Sequence, residues 1–271
     1  PVKQRPTRRV PRPNGKLRLG LLSSDFHLHA TSILIAEFLE GLDPDQFELY
    51  CYSGGPDDHS DLRARVRRTA ACWVETADLS SAQLAARISE DQIGLLVEMK
   101  GYTLGARMDV LAYRPAPIQI SWLGYPGTAG APCMDYVIGD SVVTPLDAQP
   151  YYTECIAQMP HCYQPNDSTR LRAVAATRQQ CGLPEDATFV FASFNMAYKI
   201  VPEVFAAWCA ILLATPGSVL WLLVRQDTAR KLLQEAACQH GLSPDPLIFA
   251  PFLSADMHRS RLPLADLCLD T

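Results

Sequence analysis

Apolar runs recur along this chain, and each is followed by a segment of helical period. "KLRLGLLSS" (16–24) leads into Ile33, Leu34, Phe38, Leu39 and Leu42, spaced for a helix over 32–42. "FELYCYS" leads into "DLRARVRRTA", "CWVET" into "SSAQLAARISED", and "IGLLVEMK" into a glycine-containing turn and "ARMDVLAYR". "IQISWLG", "MDYVIGD" and a candidate edge strand, "ECIAQMP", come next. A strand that is apolar at nearly every position is buried on both faces. Parallel strands joined through helices bury both faces, so the alternation predicts a doubly wound α/β domain over 16–160. Polar residues 161–186 interrupt it and predict a linker. The pattern restarts at Thr188 with "TFVFASF", a helix over 201–214, "SVLWLLV", a helix over 227–240, "PLIFAPF" and "ADLCLD". This second domain, 187–271, shows fewer strands than a doubly wound domain needs, so it is expected to be incomplete in this chain. Residues 1–15, basic and proline-rich, predict an extended linker.

With 271 residues there is room for two such domains. A net charge of −5 argues against nucleic acid or an anionic membrane as the main partner. No apolar run approaches the ~18 residues of a membrane span, and the first residues lack the apolar core of a signal peptide. Nine cysteines are scattered singly, none in a C-x-x-C pair, mostly among apolar neighbours as in "AAWCAILL". They predict reduced, buried thiols and a cytoplasmic setting.

Three segments carry more chemistry than a turn needs. In open α/β sheets, ligands bind beyond the carboxyl ends of the strands. "SSDFHLHATS" (23–32) lies at such an end and supplies Asp25, His27, His29 and Thr31. Thr31 or Ser32 could cap the following helix. A histidine beside a carboxylate could be oriented, with a raised pKa, as a general base or phosphate contact. A plain capping turn with solvated polar groups, or a D-x-H-x-H metal site, would use the same residues. "LGYPGTAG" (123–130) could bring backbone N–H groups close to a ligand or form an ordinary Pro-Gly turn, and it lacks the G-x-G-x-x-G spacing of a dinucleotide site. "FNMAYK" (194–199) sets Lys199 in the first turn of the second domain. There it is either solvated or able to meet the charge of a diphosphate leaving group.

Taken together and in order, "SSDFHLHATS", "GYTLGAR", "RPAPIQISWLGYPGTAGAPCMDYVIGD", "FNMAYKI", "SVLWLLV" and "LADLCLDT" resemble the catalytic region of the O-linked N-acetylglucosamine transferase family over nearly all of 16–271. The resemblance implies two Rossmann-like domains facing a cleft, the GT-B arrangement. It implies inverting transfer of GlcNAc from UDP-GlcNAc to Ser or Thr hydroxyls of an acceptor protein or peptide, with no cofactor and no required metal. It also implies tetratricopeptide repeats upstream. Asp25 and His29 match the first-turn pair of the family and Thr31 its threonine, while Ala30 replaces the common proline. Leu123 and Gly124, with Pro126 close by, match the sugar-lining turn. Tyr198 matches the acetyl-pocket tyrosine and Lys199 the diphosphate-contacting lysine. The implied catalytic set is Asp25, His29 and Lys199. Met196 stands where the family often has glutamine. Leu253 and Ala255 fall where uracil is held, Ala255 replacing a usual lysine. His258 matches a nucleotide-binding histidine and Arg261 a basic neighbour. The family's His-Thr-Thr segment is expected just after Thr271, and a further histidine proposed as its base is expected before residue 1. Two other readings stand beside this one: a Spindly-like O-fucosyltransferase using GDP-fucose, and a non-catalytic binding module.

Overall fold

The computed structural model describes residues 10–170 and 174–271 and divides into two compact units after Arg170. In the first unit the strands are β1 (Leu17–Ser23), β2 (Phe47–Ser53), β3 (Cys72–Glu75), β4 (Leu95–Glu98), β5 (Ile118–Ser121), β6 (Tyr136–Asp140) and β7 (Cys155–Met159). The helices between them are α1 (Ala30–Glu40), α2 (Asp61–Thr69), α3 (Ser81–Glu90) and α4 (Met108–Ala112). All strand pairs are parallel, and the sheet order is β3-β2-β1-β4-β5-β6-β7.

The alternation within β1 shows how both faces are covered. Leu19 and Leu21 pack with Ile35, Leu39 and Val66 from α1 and α2. Leu22 points to the other face, among Leu84, Ile88 and Val110 from α3 and α4. The order of strands reverses direction between β1 and β4. The loops leaving those two strands therefore part, and a crevice opens at their carboxyl ends.

The second unit contains β8 (Phe189–Ser193), β9 (Ser218–Leu222), β10 (Leu247–Phe249) and β11 (Leu267–Cys268), paired in parallel in the order β10-β9-β8-β11. Its helices are α5 (Pro202–Ala214), α6 (Asp227–Gln239) and α7 (Ala255–Arg261). Phe205, Trp208, Cys209 and Leu212 of α5 bury against Leu220 and Leu222. Val190, Val219 and Trp221 fill the opposite face. The reversal falls between β8 and β11. The helix over 255–261 was not expected from the sequence, since no apolar period marks that segment, and only its Arg261 is buried.

Three expectations are corrected. Residues 161–170, expected as linker, are fastened to the first unit. Trp122 Nε1 donates to the Tyr163 carbonyl at 3.0 Å, and the Tyr163 N–H donates to Asp140 Oδ2 at 3.0 Å. Arg65 on α2 meets Asp167 at 2.6 Å, and Ser168 bonds Glu37 of α1. Of the expected linker over 1–15, residues 1–9 lie outside the described residues. Val10 and Pro11 lie so close to Gly94 that a Cβ there would stand 2.7 Å from Val10 Cγ1. The cysteines are not uniformly buried: Cys51, Cys155, Cys181 and Cys209 are, whereas Cys162, Cys238 and Cys268 are exposed.

Candidate active site

Asp25 and Lys100 meet at the β1/β4 crevice. Glu98, the last residue of β4, is 1 % exposed and folds the chain back on itself. Its two oxygens accept from the N–H groups of Lys100 at 2.8 Å and Gly101 at 2.6 Å. That turn carries the Lys100 ammonium onto Asp25, 2.7 Å from Oδ1 and 2.8 Å from Oδ2. Both side chains are buried, and an ion pair out of water holds only when its geometry is good and its remaining atoms are bonded. Thr31 Oγ1 donates to Asp25 Oδ2 at 3.2 Å, and Ser32 Oγ donates to the Asp25 carbonyl at 2.6 Å. Arg63 Nη1 donates to the Phe26 carbonyl at 2.8 Å and pins the turn from α2. Burial pushes the Glu98 carboxyl up to about 7 against the pull of its two N–H donors.

His29, and neither Thr31 nor Ser32, caps α1. Its Nδ1 accepts the Thr31 N–H at 3.2 Å, while both hydroxyls are spent on Asp25. His29 Nδ1 lies 3.4 Å from Asp25 Oδ2. The raised histidine pKa expected from that neighbour is not found. Burial lowers it, and the charges of Lys100 and His27 add to the lowering against the opposing pull of Asp25. The side chain of His29 remains 42 % exposed, so one edge of its ring is open to a ligand. Asp25 is 4 % and Thr31 6 % exposed, and both side chains are engaged inside the turn. Among the described residues, no group of three His, Cys, Asp or Glu side chains could hold a metal ion.

The turn after β5 closes against the same crevice. Leu123 sits at φ +74°, a left-handed conformation that costs a branched residue about 1 kcal/mol or more. A Cβ on Gly124 would stand 1.9 Å from the Met99 carbonyl oxygen, so only glycine lets the loop lie on the backbone after β4. Buried Glu154 anchors the far side, accepting from Thr128 Oγ1 at 2.6 Å and from the Ala129 N–H at 2.5 Å. Pro126 is exposed at the rim of this loop.

In the second unit, the turn after β8 projects outward. Met196 is 62 % and Tyr198 78 % exposed, and Lys199 is exposed beside them on a 3-10 turn over 197–199. Asn195 Nδ2 donates at 2.8 Å to Asp270, which follows β11 across the second reversal point. The Asp270 carboxyl is held below its ordinary value by the Thr271 N–H, then by Asn195, with a smaller pull from the Lys199 charge. Met196 and Tyr198 line a groove of about 370 Å³ together with Leu223, Arg225, Gln226 and Phe252. The Arg225 guanidinium lies 4.4 Å over the Phe252 ring. Leu253 is half-buried and Ala255 exposed at the start of α7, next to but outside the groove lining.

His258 is half-buried against Phe194, with ring centroids 5.0 Å apart. Arg261, expected to touch substrate, is 1 % exposed. Its guanidinium packs on Phe194 and Trp221, donates to the Pro251 carbonyl at 2.6 Å and to His258 Nδ1 at 2.8 Å. Arg261 thus braces the His258 ring from within the unit. Burial, then the Arg261 charge, lowers the His258 pKa.

Lys100 and Arg225 were absent from the sequence expectations. Each lies in the turn that follows a parallel strand, the same signal that singled out Lys199.

The model of glycosyl transferase family 41 matches residues 3–175 and 165–271. An Arabidopsis thaliana protein described as a probable UDP-N-acetylglucosamine–peptide N-acetylglucosaminyltransferase, SEC, is 37 % identical over 94 % of this chain. A rice protein of the same description, SPINDLY, is 30 % identical over 94 %. The chain spans 27 % and 28 % of the lengths of these two relatives. Among solved structures, a mutant of the Thermobaculum terrenum O-GlcNAc transferase superposes with a TM-score of 0.82, at 29 % identity, over 94 % of this chain and 48 % of that one. With its two Rossmann-like units and both halves matched, this chain belongs to glycosyl transferase family 41.

Proposed function

We propose that the protein carrying this chain transfers GlcNAc from UDP-GlcNAc to Ser or Thr hydroxyls of proteins, with inversion and without a metal or other cofactor. The observation that carries the reading is an exposed Lys199 beside Tyr198 at the strand-reversal point of the second unit, in a family 41 chain. A diphosphate gains charge on its bridging oxygen as it departs, and a fixed cation there acts mainly in the transition state. Tyr198 is read as the acetyl contact. Met196, Leu253, Ala255 and His258 are read as nucleotide contacts, with Arg225 an added cation at the groove.

On the first unit, the reading gives Leu123, Gly124 and Pro126 to the sugar and His29 to a sugar or acceptor oxygen. Asp25 is engaged on both oxygens by Lys100 inside the turn. A donor phosphate oxygen, reached directly or through one water, then takes the hydroxyl proton. The reading also expects a cytoplasmic setting and tetratricopeptide repeats elsewhere in the protein. No helix among the described residues is long and apolar enough to cross a membrane.

Incubating the full-length protein with a Ser/Thr peptide and labelled donors tests this. Label transfer from UDP-GlcNAc, not from GDP-fucose, is expected. Transfer from GDP-fucose alone reassigns the sugar. UDP binding by calorimetry with no transfer from either donor would leave a binding module.

A further inference from the structure

Lys100 stands outside every motif that carries the functional reading, yet its ammonium lies on both oxygens of Asp25 in the first-unit turn. The argument starts at the His29 ring. A backbone N–H can only donate, so the Nδ1 that meets Thr31 N at 3.2 Å presents a lone pair. The same Nδ1 faces Asp25 Oδ2 at 3.4 Å. An unbalanced carboxylate at that distance would draw a proton onto Nδ1 and turn the Thr31 N–H away from its cap. The ammonium of Lys100, on both Asp25 oxygens at 2.7 and 2.8 Å, supplies the balance.

We propose that Lys100 is a positioning residue: by ion-pairing Asp25 it keeps His29 neutral with its proton on Nε2, so that the turn offers an incoming oxygen a hydrogen-bond donor and not a base. The charged and titratable groups around His29 are Asp25, Lys100 and His27, whose ring centroid is 5.5 Å away. Glu98 reaches them only through the backbone N–H groups of Lys100 and Gly101. The identity of the oxygen rests on the transferase reading. The protonation state of the ring does not.

Ring 15N spectra of the His29 imidazole, assigned by its loss in His29→Gln, test the inference without any donor sugar. In the wild-type chain near neutral pH, Nε2 should carry the proton, and the titration midpoint should lie below about 6.5. Lys100→Met should raise the midpoint by about one pH unit or more, because Asp25 then acts on the ring unopposed. Lys100→Arg should hold it near the wild-type value. Asp25→Asn combined with Lys100→Met should return it there, since Lys100 acts through Asp25. A wild-type ring protonated on Nδ1, a midpoint unmoved by Lys100→Met, or a raised midpoint that survives in the double variant overturns the proposal. If Lys100→Met does not fold, Lys100→Gln, which keeps a donor to Asp25 without its charge, is read the same way. Absence of sugar transfer by the wild-type full-length protein, with the His29 titration as described, would count against the transferase reading alone.

Discussion

The two units reuse one device, a polar turn at the point where strand order reverses, but they finish it differently. In the first unit the turn is closed on itself. Asp25 is bonded by Lys100 and Thr31, Glu98 by two N–H groups, and the loop after β5 is locked onto the Met99 backbone. In the second unit the turn is open, with Met196 and Tyr198 exposed along a groove and Lys199 exposed beside them. A closed turn acts through fixed geometry, and damage to it shows as lost stability. An open turn acts through what it meets, so damage shows as lost function with the fold intact.

Lys199→Ala should give the largest effect on the open side. In the full-length protein we expect kcat to fall about 100-fold or more, with a smaller change in KM and an unchanged melting temperature. Near-normal turnover with a raised KM would make Lys199 a ground-state contact and blur the contrast. On the closed side, Gly124→Ala drives a methyl into the Met99 carbonyl and should cost about 3 kcal/mol in denaturant unfolding. A variant as stable as wild type would mean that the loop can lift and is not locked.

Glu98→Gln sharpens the comparison through pH. The folded-state pKa of Glu98, about 7, lies above its unfolded value of 4.5, so the folded chain holds the proton more tightly. Its contribution to stability is full below the unfolded value and is lost as pH rises through about 7, by roughly 3 kcal/mol. Glu98→Gln should flatten that part of the stability profile, and an unchanged slope would place its origin elsewhere. The smallest effect belongs to Met196→Gln. One added polar contact at the groove should tighten UDP about 5-fold by calorimetry. Weaker binding would show that the thioether already packs on the nucleotide.

Both sheets could be read from the sequence because their strands are short, apolar and separated by helical periods. "FELYCYS" is β2 residue for residue. Strand order could not be read, since it depends on which distant strands pair, and the two reversal points follow from it. That is why His29, Leu123 and Lys199 could be named from motifs while their partners could not. Lys100 lies 75 positions from Asp25, and no local period links them. Thr31 and Arg261 were named for contact with substrate, but their side chains turn inward to support Asp25 and His258. A motif marks a neighbourhood and does not separate residues that touch a ligand from those that hold them.

The fastening of residues 161–170 decides where the first unit can be cut free. Arg65 bonds Glu40 and Asp167 together, and this holds the Asp167 carboxyl down at about 2. A fragment ending at residue 160 would strip the acceptor from Trp122, leave Asp140 without the Tyr163 N–H and expose Arg65 to solvent. A fragment carried through Arg170 keeps all three. Proteases should find the same seam, leaving 163–169 uncut while the first unit stays folded.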